Sequence, residues 1–194
     1  MAESRVRGVA RRAVHAEITA VAECLFREQG FDATTVDHIA ERAGISQRTF
    51  FRYAGTKEDL VLGEFDRQGE RMVDVLRSRP AAENPWTSLR HAFEVVVADR
   101  GRAKLMYSII ESSPVLRAAY LDRMDLIQRR LVDVLLERAA GTGSRVVTRA
   151  LVGSAFAALN AATETCDPDC NKPDTFAADL DHVLAQLEPA STRN

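Results

Sequence analysis

Residues 30–57 read GFDATTVDHIAERAGISQRTFFRYAGTK, and this stretch decides the fold. It contains two short segments with the apolar spacing of helices, separated by a tight turn around Gly44. Thr34 or Thr35 is suited to cap the first segment and Ser46 to cap the second, because a side-chain hydroxyl can accept a hydrogen bond from a free backbone N–H. The stretch therefore predicts a helix-turn-helix, with helices at about residues 36–43 and 46–53.

The second predicted helix has an apolar face and a polar face. Ile39, Ile45 and Phe50 supply the apolar contacts that hold the two helices together, so Phe50 is predicted to be a core residue. The polar face carries Gln47, Arg48, Thr49 and Arg52. Side chains of these types form hydrogen bonds with base edges or phosphates in a major groove of DNA. A plain helical hairpin with a solvated charged face is the alternative, and the apolar pattern alone leaves both open.

The rest of the chain also reads as helices, separated by glycine and proline. The first helix is predicted at about residues 9–29, and Thr56 is suited to cap a long fourth helix. Gly101 is expected to separate the fifth and sixth helices, and Pro114 to begin the seventh. Long alternating runs of β-branched residues are absent from the sequence, which argues against a sheet. The sequence therefore predicts an all-α fold of about nine helices.

The charge of the chain is unevenly distributed. The 194 residues carry a net charge of −2, which by itself does not favour nucleic acid as a partner. However, Arg5, Arg7, Arg11 and Arg12 oppose only Glu3 in the first twelve residues. This excess suits an amino-terminal arm that reaches a phosphate or a minor groove, and a disordered basic tail without fixed contacts is the alternative.

Composition limits the other classes of function. No apolar run approaches the roughly 18 residues of a membrane span, and the basic start lacks the apolar stretch of a signal peptide, so we expect a cytoplasmic protein. Cys24 is predicted to be a small core residue. Cys166 and Cys170 enclose Asp-Pro-Asp, which favours a turn over a metal site, with an inducible disulfide as a further alternative. The scattered histidines form no catalytic motif, so we expect neither an enzyme nor a bound cofactor or metal.

Several short motifs together identify a family. They are Thr34-Thr35-Val36, Ile39-Ala40, Ala43-Gly44-Ile45-Ser46, Thr49-Phe50-Phe51-Arg52-Tyr53 and Lys57-Glu58-Asp59-Leu60. Over about residues 8–62 the chain resembles the DNA-binding domain of the TetR family of bacterial regulators, although Ala54 stands where the family usually has an aromatic residue. The resemblance implies a helix-turn-helix DNA-binding domain at residues 1–56 and a helical ligand-binding and dimerisation domain at residues 57–190.

The resemblance also implies roles for individual residues toward DNA. Gln47, Arg48 and Thr49 become candidates for reading bases, with Arg48 placed to grip a guanine through two hydrogen bonds. Thr35 and Ser46 begin helices, where a phosphate can be held. For the other candidate DNA-binding residues the resemblance implies contacts with a phosphate, a sugar or a thymine methyl group. The full set is Thr35, Ser46, Gln47, Arg48, Thr49, Phe51, Arg52, Tyr53 and Lys57.

The resemblance further implies a ligand pocket and a dimer surface in the helical body. Candidate pocket residues are Trp86, Phe93, Met106, Tyr107, Ile110, Met124, Phe156 and Asn160. Candidate dimer residues on the eighth and ninth helices are Leu151, Ser154, Ala158, Leu180, Val183 and Leu187. For each of these residues, packing within one chain is the alternative, because apolar residues at helical spacing are usually core residues.

The function implied is a repressor that binds a palindromic operator as a homodimer and is released by a hydrophobic or amphipathic small molecule. The ligand would shift the fourth helix, whose first residue, Lys57, adjoins the DNA-binding domain. The segment Ile110-Glu111-Ser112-Ser113-Pro114 loosely resembles regulators that sense acyl-CoA-like molecules. A helical interaction module without DNA contact remains the rival interpretation.

Overall fold

The computed structural model describes residues 2–97, 100–164 and 173–186, and within these ranges all regular structure is helical. The helices are α1 (Ala2–Gln29), α2 (Val36–Arg42), α3 (Gln47–Ala54), α4 (Lys57–Ser78), α5 (Pro85–Val97), α6 (Arg100–Glu111), α7 (Pro114–Arg138), α8 (Arg145–Glu164) and α9 (Pro173–Gln186). The predicted all-α fold is thereby confirmed.

Side-chain hydroxyls begin three of the helices, as the sequence predicted. Thr35 Oγ1 accepts a hydrogen bond from the backbone N–H of His38 at 3.2 Å at the start of α2. Ser46 Oγ accepts one from Thr49 N at 3.1 Å and caps α3. At the start of α4, Thr56 Oγ1 accepts from Asp59 N at 3.1 Å. These bonds satisfy backbone donors that the first turn of a helix leaves without partners.

Two helix boundaries differ from the predictions. Helix α1 begins at Ala2, so residues 2–12 are helical, and the disordered-tail alternative is wrong for them. Gly101 lies in the first turn of α6, since α5 ends at Val97 and α6 begins at Arg100. A glycine inside a helix costs only about 1 kcal/mol relative to alanine, which favourable neighbours can offset.

The chain divides into two compact units. The first comprises Met1–Glu64 and Ala103–Leu121, and the second Phe65–Arg102 and Asp122–Asn194. In the first unit, α1 packs against α2 and α3, and α2 packs against α3. We refer to these three helices as the head. Ile18, Ile39, Phe50 and Ala54 are buried in it.

The second unit has its own apolar core, in which α5, α8 and α9 pack together. Phe93 and Phe156 meet edge to face, with ring centroids 5.2 Å apart. Helices α4 and α7 approach closely at Gly69, where a side-chain carbon would lie 2.6 Å from Ile127 Cδ1. A larger residue at position 69 would therefore require the Ile127 side chain to shift.

Cys24 does not occupy the predicted core position. It is half-buried on α1, and its thiol donates a hydrogen bond to Glu28 Oε1 at 3.1 Å. This bond and the negative charge of Glu28 raise the pKa of the Cys24 thiol above its usual value. Cys166 and Cys170 lie outside the described residues. Among the helices that the structure describes, none is long and apolar enough to cross a membrane.

Candidate nucleic-acid interface

Helix α3 turns its apolar side into the head and its polar side outward. Phe50 is fully buried, whereas Gln47, Arg48 and Arg52 are exposed. Within the described part of the chain, the Arg48 guanidinium forms no ion pair. Its donors are therefore available to an external acceptor such as the O6 and N7 atoms of a guanine.

Gln47 differs from Arg48, because it is tied to the neighbouring helix. Its Nε2 donates a hydrogen bond to Asp37 Oδ1 on α2. The contact fixes the side-chain amide between α2 and α3 and constrains the direction in which its carbonyl can point. Sequence reasoning missed this bond, since residues 37 and 47 come together only when the two helices cross.

The hydroxyls predicted to bind phosphate also serve as helix caps. Ser46 Oγ lies 2.9 Å from Thr49 Oγ1, so these two hydroxyls form a pair at the start of α3. At the start of α2, the Thr35 backbone N–H points at His38 Nδ1 at 3.5 Å. An oxygen that accepts a capping bond retains its own proton, which it can donate to a phosphate oxygen. The caps and the predicted phosphate contacts are therefore compatible.

An aromatic and cationic cluster follows on α3. Phe51 is 54% exposed and packs edge-on against Phe50, with ring centroids 5.6 Å apart. The Arg52 guanidinium carbon lies 4.7 Å from the centroid of the half-buried Tyr53 ring. This cation–π contact holds the arginine on the outer face of the head. An exposed phenylalanine beside it suits a sugar or a thymine methyl.

Lys57 is occupied within the protein. Its ammonium donates to the backbone oxygens of Phe31 at 2.8 Å and Thr34 at 2.9 Å, and lies 4.1 Å from the Phe31 ring centroid. These contacts tie the first residue of α4 to residues 30–35, which form the α1–α2 loop. The phosphate contact of Lys57 stays a prediction, and it would use the third ammonium proton.

A second long-range contact reaches the same loop. Ser113, buried in the turn between α6 and α7, donates its hydroxyl to Asp32 Oδ1 at 2.7 Å. The same Ser113 oxygen accepts from Leu116 N at 3.3 Å and so caps α7. The α1–α2 loop is therefore held both from α4 and from the start of α7. No sequence signal connects residues 32 and 113, which are 81 positions apart.

Removing either partner of the Asp32–Ser113 bond should destabilise the first unit. We expect a double-mutant cycle with Asp32→Ala and Ser113→Ala to give a coupling energy of about 1 kcal/mol, measured by urea unfolding. The matched control uses Ser112→Ala in the cycle instead of Ser113→Ala. The Ser112 hydroxyl donates to the backbone oxygen of Ile109 in α6. The Ser112→Ala cycle with Asp32→Ala should show no coupling, and equal couplings in both cycles would contradict the assignment.

The predicted pocket residues are placed mainly in the two cores. Trp86, Phe93 and Phe156 are buried in the core of the second unit, with Met124 packed beside it. Met106 and Ile110 are buried in the first unit, where the Tyr107 hydroxyl lies 2.6 Å from that of Tyr120. Burial, followed by the charge of the neighbouring Tyr107, raises the pKa of Tyr120 above its usual range. Asn160 is exposed. Their role toward a ligand stays a prediction.

A surface depression of about 340 Å³ lies on the head, away from these residues. It is lined by Leu25, Gln29, His38, Glu41 and Arg42. The side chains are mostly polar, and Arg42 is already paired with Glu28 at 2.8 Å. This depression does not fit an apolar ligand, because such a ligand gains its affinity by covering apolar surface.

The predicted dimer residues are divided between the surface and the core. Ser154 is exposed, and Leu151 and Val183 are half-buried. Ala158 and Leu180 instead lie in the core of the second unit, because α8 packs there against α5 and α9. Leu187 lies outside the described residues. The outward stripe of α8 consists of Val147, Ala150, Ser154, Ala157 and Ala161.

Comparison with known proteins connects this geometry to a family. The family model described as "Bacterial regulatory proteins, tetR family" matches residues 18–63, which span most of the head and the start of α4. The regulator TcmR of Streptomyces glaucescens is 33% identical over 124 residues, covering 59% of this chain and 55% of TcmR. A putative mycofactocin biosynthesis transcriptional regulator, MftR of Mycobacterium tuberculosis, is 40% identical over 80 residues, or 40% of each chain.

The fold likeness extends over most of the chain. A transcriptional regulator from Aquifex aeolicus superposes with a TM-score of 0.60 at 18% identity, covering 89% of this chain and 98% of the other. In sequence, by contrast, the chain spans only about half the length of the curated relatives that it matches. Residues 18–63 therefore match the model of the tetR family of bacterial regulatory proteins, and the chain as a whole is similar in fold to a solved regulator.

Proposed function

We propose that this protein is a transcriptional regulator that binds a palindromic operator as a homodimer and represses transcription until a hydrophobic or amphipathic small molecule releases it. The observation that carries the proposal is the outward face of α3. Arg48 is exposed there without an ion pair among the described residues, and Phe51 stands beside it. A helix with this face, anchored by a buried Phe50, suits insertion into a major groove.

Homodimer formation would use the outward stripe of α8. From Ala150 to Ala161 the stripe is built of small residues, which allow two helices to approach closely, and it begins with the exposed Val147. Ion pairs of Arg145 with Asp133 and of Arg149 with Asp125 flank it. Two heads on such a dimer would engage half-sites about 34–36 Å apart, one turn of DNA. A single head would bind far more weakly.

Ligand response would pass through α4. This helix runs without interruption from Lys57, which is tied to the α1–α2 loop, to Ser78. A ligand among the apolar residues of the second unit would bias the position of the helix and hence of the loop. Thermodynamic linkage then requires the operator to weaken ligand binding by the same factor as the ligand weakens operator binding. An acyl-CoA-like effector is one amphipathic candidate.

DNA binding can be tested by titrating the protein against the intergenic DNA beside its own gene. We expect a complex that survives about 150 mM salt on that DNA and is lost on random DNA of equal length. Equal binding to both, or none at low salt, would favour the rival helical interaction module. Sedimentation of the free protein would give the dimer independently of DNA.

Arg48→Ala should relax the base preference at one position in each half-site. Losing a bidentate contact with guanine costs about 1–3 kcal/mol, whereas binding to the other positions keeps its preference. Selection from a randomised operator library would measure the preference of both proteins. Arg77→Ala, an exposed arginine at the end of α4, serves as the control and should change nothing. Full preference at every position in the Arg48 variant would exclude it as a base reader.

A further inference from the structure

A buried amide interrupts the apolar inner face of α4. Gln68 is only 4% exposed, and its Nε2 is among the buried side-chain nitrogens that find no hydrogen-bond partner in the described part of the chain. Burying an amide nitrogen without an acceptor is unfavourable, so native proteins rarely retain one without a reason. Such a donor marks a place where an external acceptor, a ligand or a water, can bind.

Two apolar residues share the buried face of α4 with Gln68. Phe65 and Met72 lie three residues before and four residues after it, so they share its face of α4, and both are buried. The following residue, Gly69, is pressed against Ile127 of α7. An apolar residue would fit the pattern of this face better than glutamine does.

Charges near this point are on the flanks of α4 and are neutralised in pairs. Asp66 pairs with Arg123, and Glu70 accepts two hydrogen bonds from Arg130, at 2.6 and 2.8 Å. The bonds from Arg130 lower the pKa of the Glu70 carboxyl below its usual value. The charges of these two carboxylates are therefore neutralised within the protein. A neutral acceptor therefore suits Gln68 better than a carboxylate, whose burial would be costly.

We propose that the Gln68 amide is the polar recognition group of the effector site, and that the effector carries an uncharged acceptor oxygen, as in a ketone or ester, on an apolar body. The inference rests on the ligand response proposed above and specifies its chemistry. Gln68 Nε2 donates to the acceptor oxygen, while the apolar body lies against the side chains around Phe65 and Met72. Gln68 thus selects a carbonyl compound over the corresponding hydrocarbon.

The first test uses the stability of the protein without ligand. Gln68→Met keeps the length of the side chain and removes the unpaired donor, so Tm is expected to rise by about 2–4 °C. Gln68→Leu provides a second apolar variant, and Gln186→Met, at an exposed position of α9, provides the control that should not change Tm. A fall in Tm for both Gln68 variants would mean that the amide is bonded in the free protein, and would overturn the proposal.

The second test uses matched probes that differ only in a carbonyl: 9-fluorenone with fluorene, and benzophenone with diphenylmethane. We expect at least one ketone to raise the Tm of the unmodified protein more than its hydrocarbon does, and the difference to disappear in Gln68→Met. Equal shifts within each pair, no shift from any probe, or a ketone preference that survives in Gln68→Met would overturn the proposal. Operator binding, measured in parallel by fluorescence anisotropy without probe, reports on the proposed function separately.

Discussion

Replacing Phe50 by alanine is expected to lower the free energy of unfolding by about 3–5 kcal/mol and to abolish operator binding. Phe50 is fully buried where α3 packs against α1 and α2, so its removal leaves a cavity at the junction of the three head helices. It also removes the edge-to-face contact with Phe51, which adds about 0.5–1.5 kcal/mol beyond burial. Because the free energy of unfolding of a domain is only about 5–15 kcal/mol, the substitution would remove a large part of it.

The adjacent Phe51 offers a matched control. It is the same residue type on the same helix, yet it is 54% exposed. Phe51→Ala should change the free energy of unfolding by less than about 1 kcal/mol while weakening operator binding several-fold. Urea unfolding followed by circular dichroism measures stability, and fluorescence anisotropy measures affinity. Equal losses of stability in the two variants would contradict the assignment of Phe50 to the core and Phe51 to the surface.

This difference between two neighbouring phenylalanines was predictable from the sequence, because it follows from helical periodicity. The caps at Thr35, Ser46 and Thr56 were predictable for a similar reason. A cap is a bond between residues three positions apart, so local spacing determines it. The motifs that resemble the tetR family are likewise short runs of neighbouring residues.

Contacts between distant residues were not predictable in this way. The bonds of Asp32 with Ser113 and of Lys57 with Phe31 depend on how helices are placed in the first unit. The spacing on α8 likewise did not separate Ser154, which is exposed, from Ala158, which is buried. The two are four residues apart, and their different burial depends on the direction from which α5 and α9 pack.

Gln68 illustrates a signal that was present but overlooked. The sequence of α4 contains an apolar stripe of Val61, Phe65, Met72 and Leu76, in which Phe65 and Met72 are seven positions apart instead of three or four. The apolar stripe is interrupted at Gln68 and Gly69, which occupy the helical turn between Phe65 and Met72. A polar residue at a buried position of such a stripe is either hydrogen-bonded within the core or part of a ligand site. Only its surroundings in the folded protein distinguish the two.

Replacing Lys57 by methionine is expected to weaken binding to every DNA sequence by the same factor, because the variant releases the loop that presents Thr35. The ammonium bonds to two carbonyl oxygens and lies over the Phe31 ring, so its loss should also cost about 2 kcal/mol of stability. Methionine retains the apolar length of the side chain and isolates the effect of the charge. The notable expectation concerns salt: the slope of log affinity against log salt concentration should stay unchanged.

Arg52→Met is the control that distinguishes the loss of a contact within the protein from the loss of a phosphate contact. Arg52 is exposed, so its loss should leave stability within about 0.5 kcal/mol while reducing the salt slope by about 1 if it neutralises one phosphate. The Lys57 variant should show the opposite combination, with lower stability and an unchanged slope. Normal stability with a slope reduced by 1 would instead assign Lys57 to DNA, and would leave Ser113 as the group that holds Asp32 and the α1–α2 loop in place.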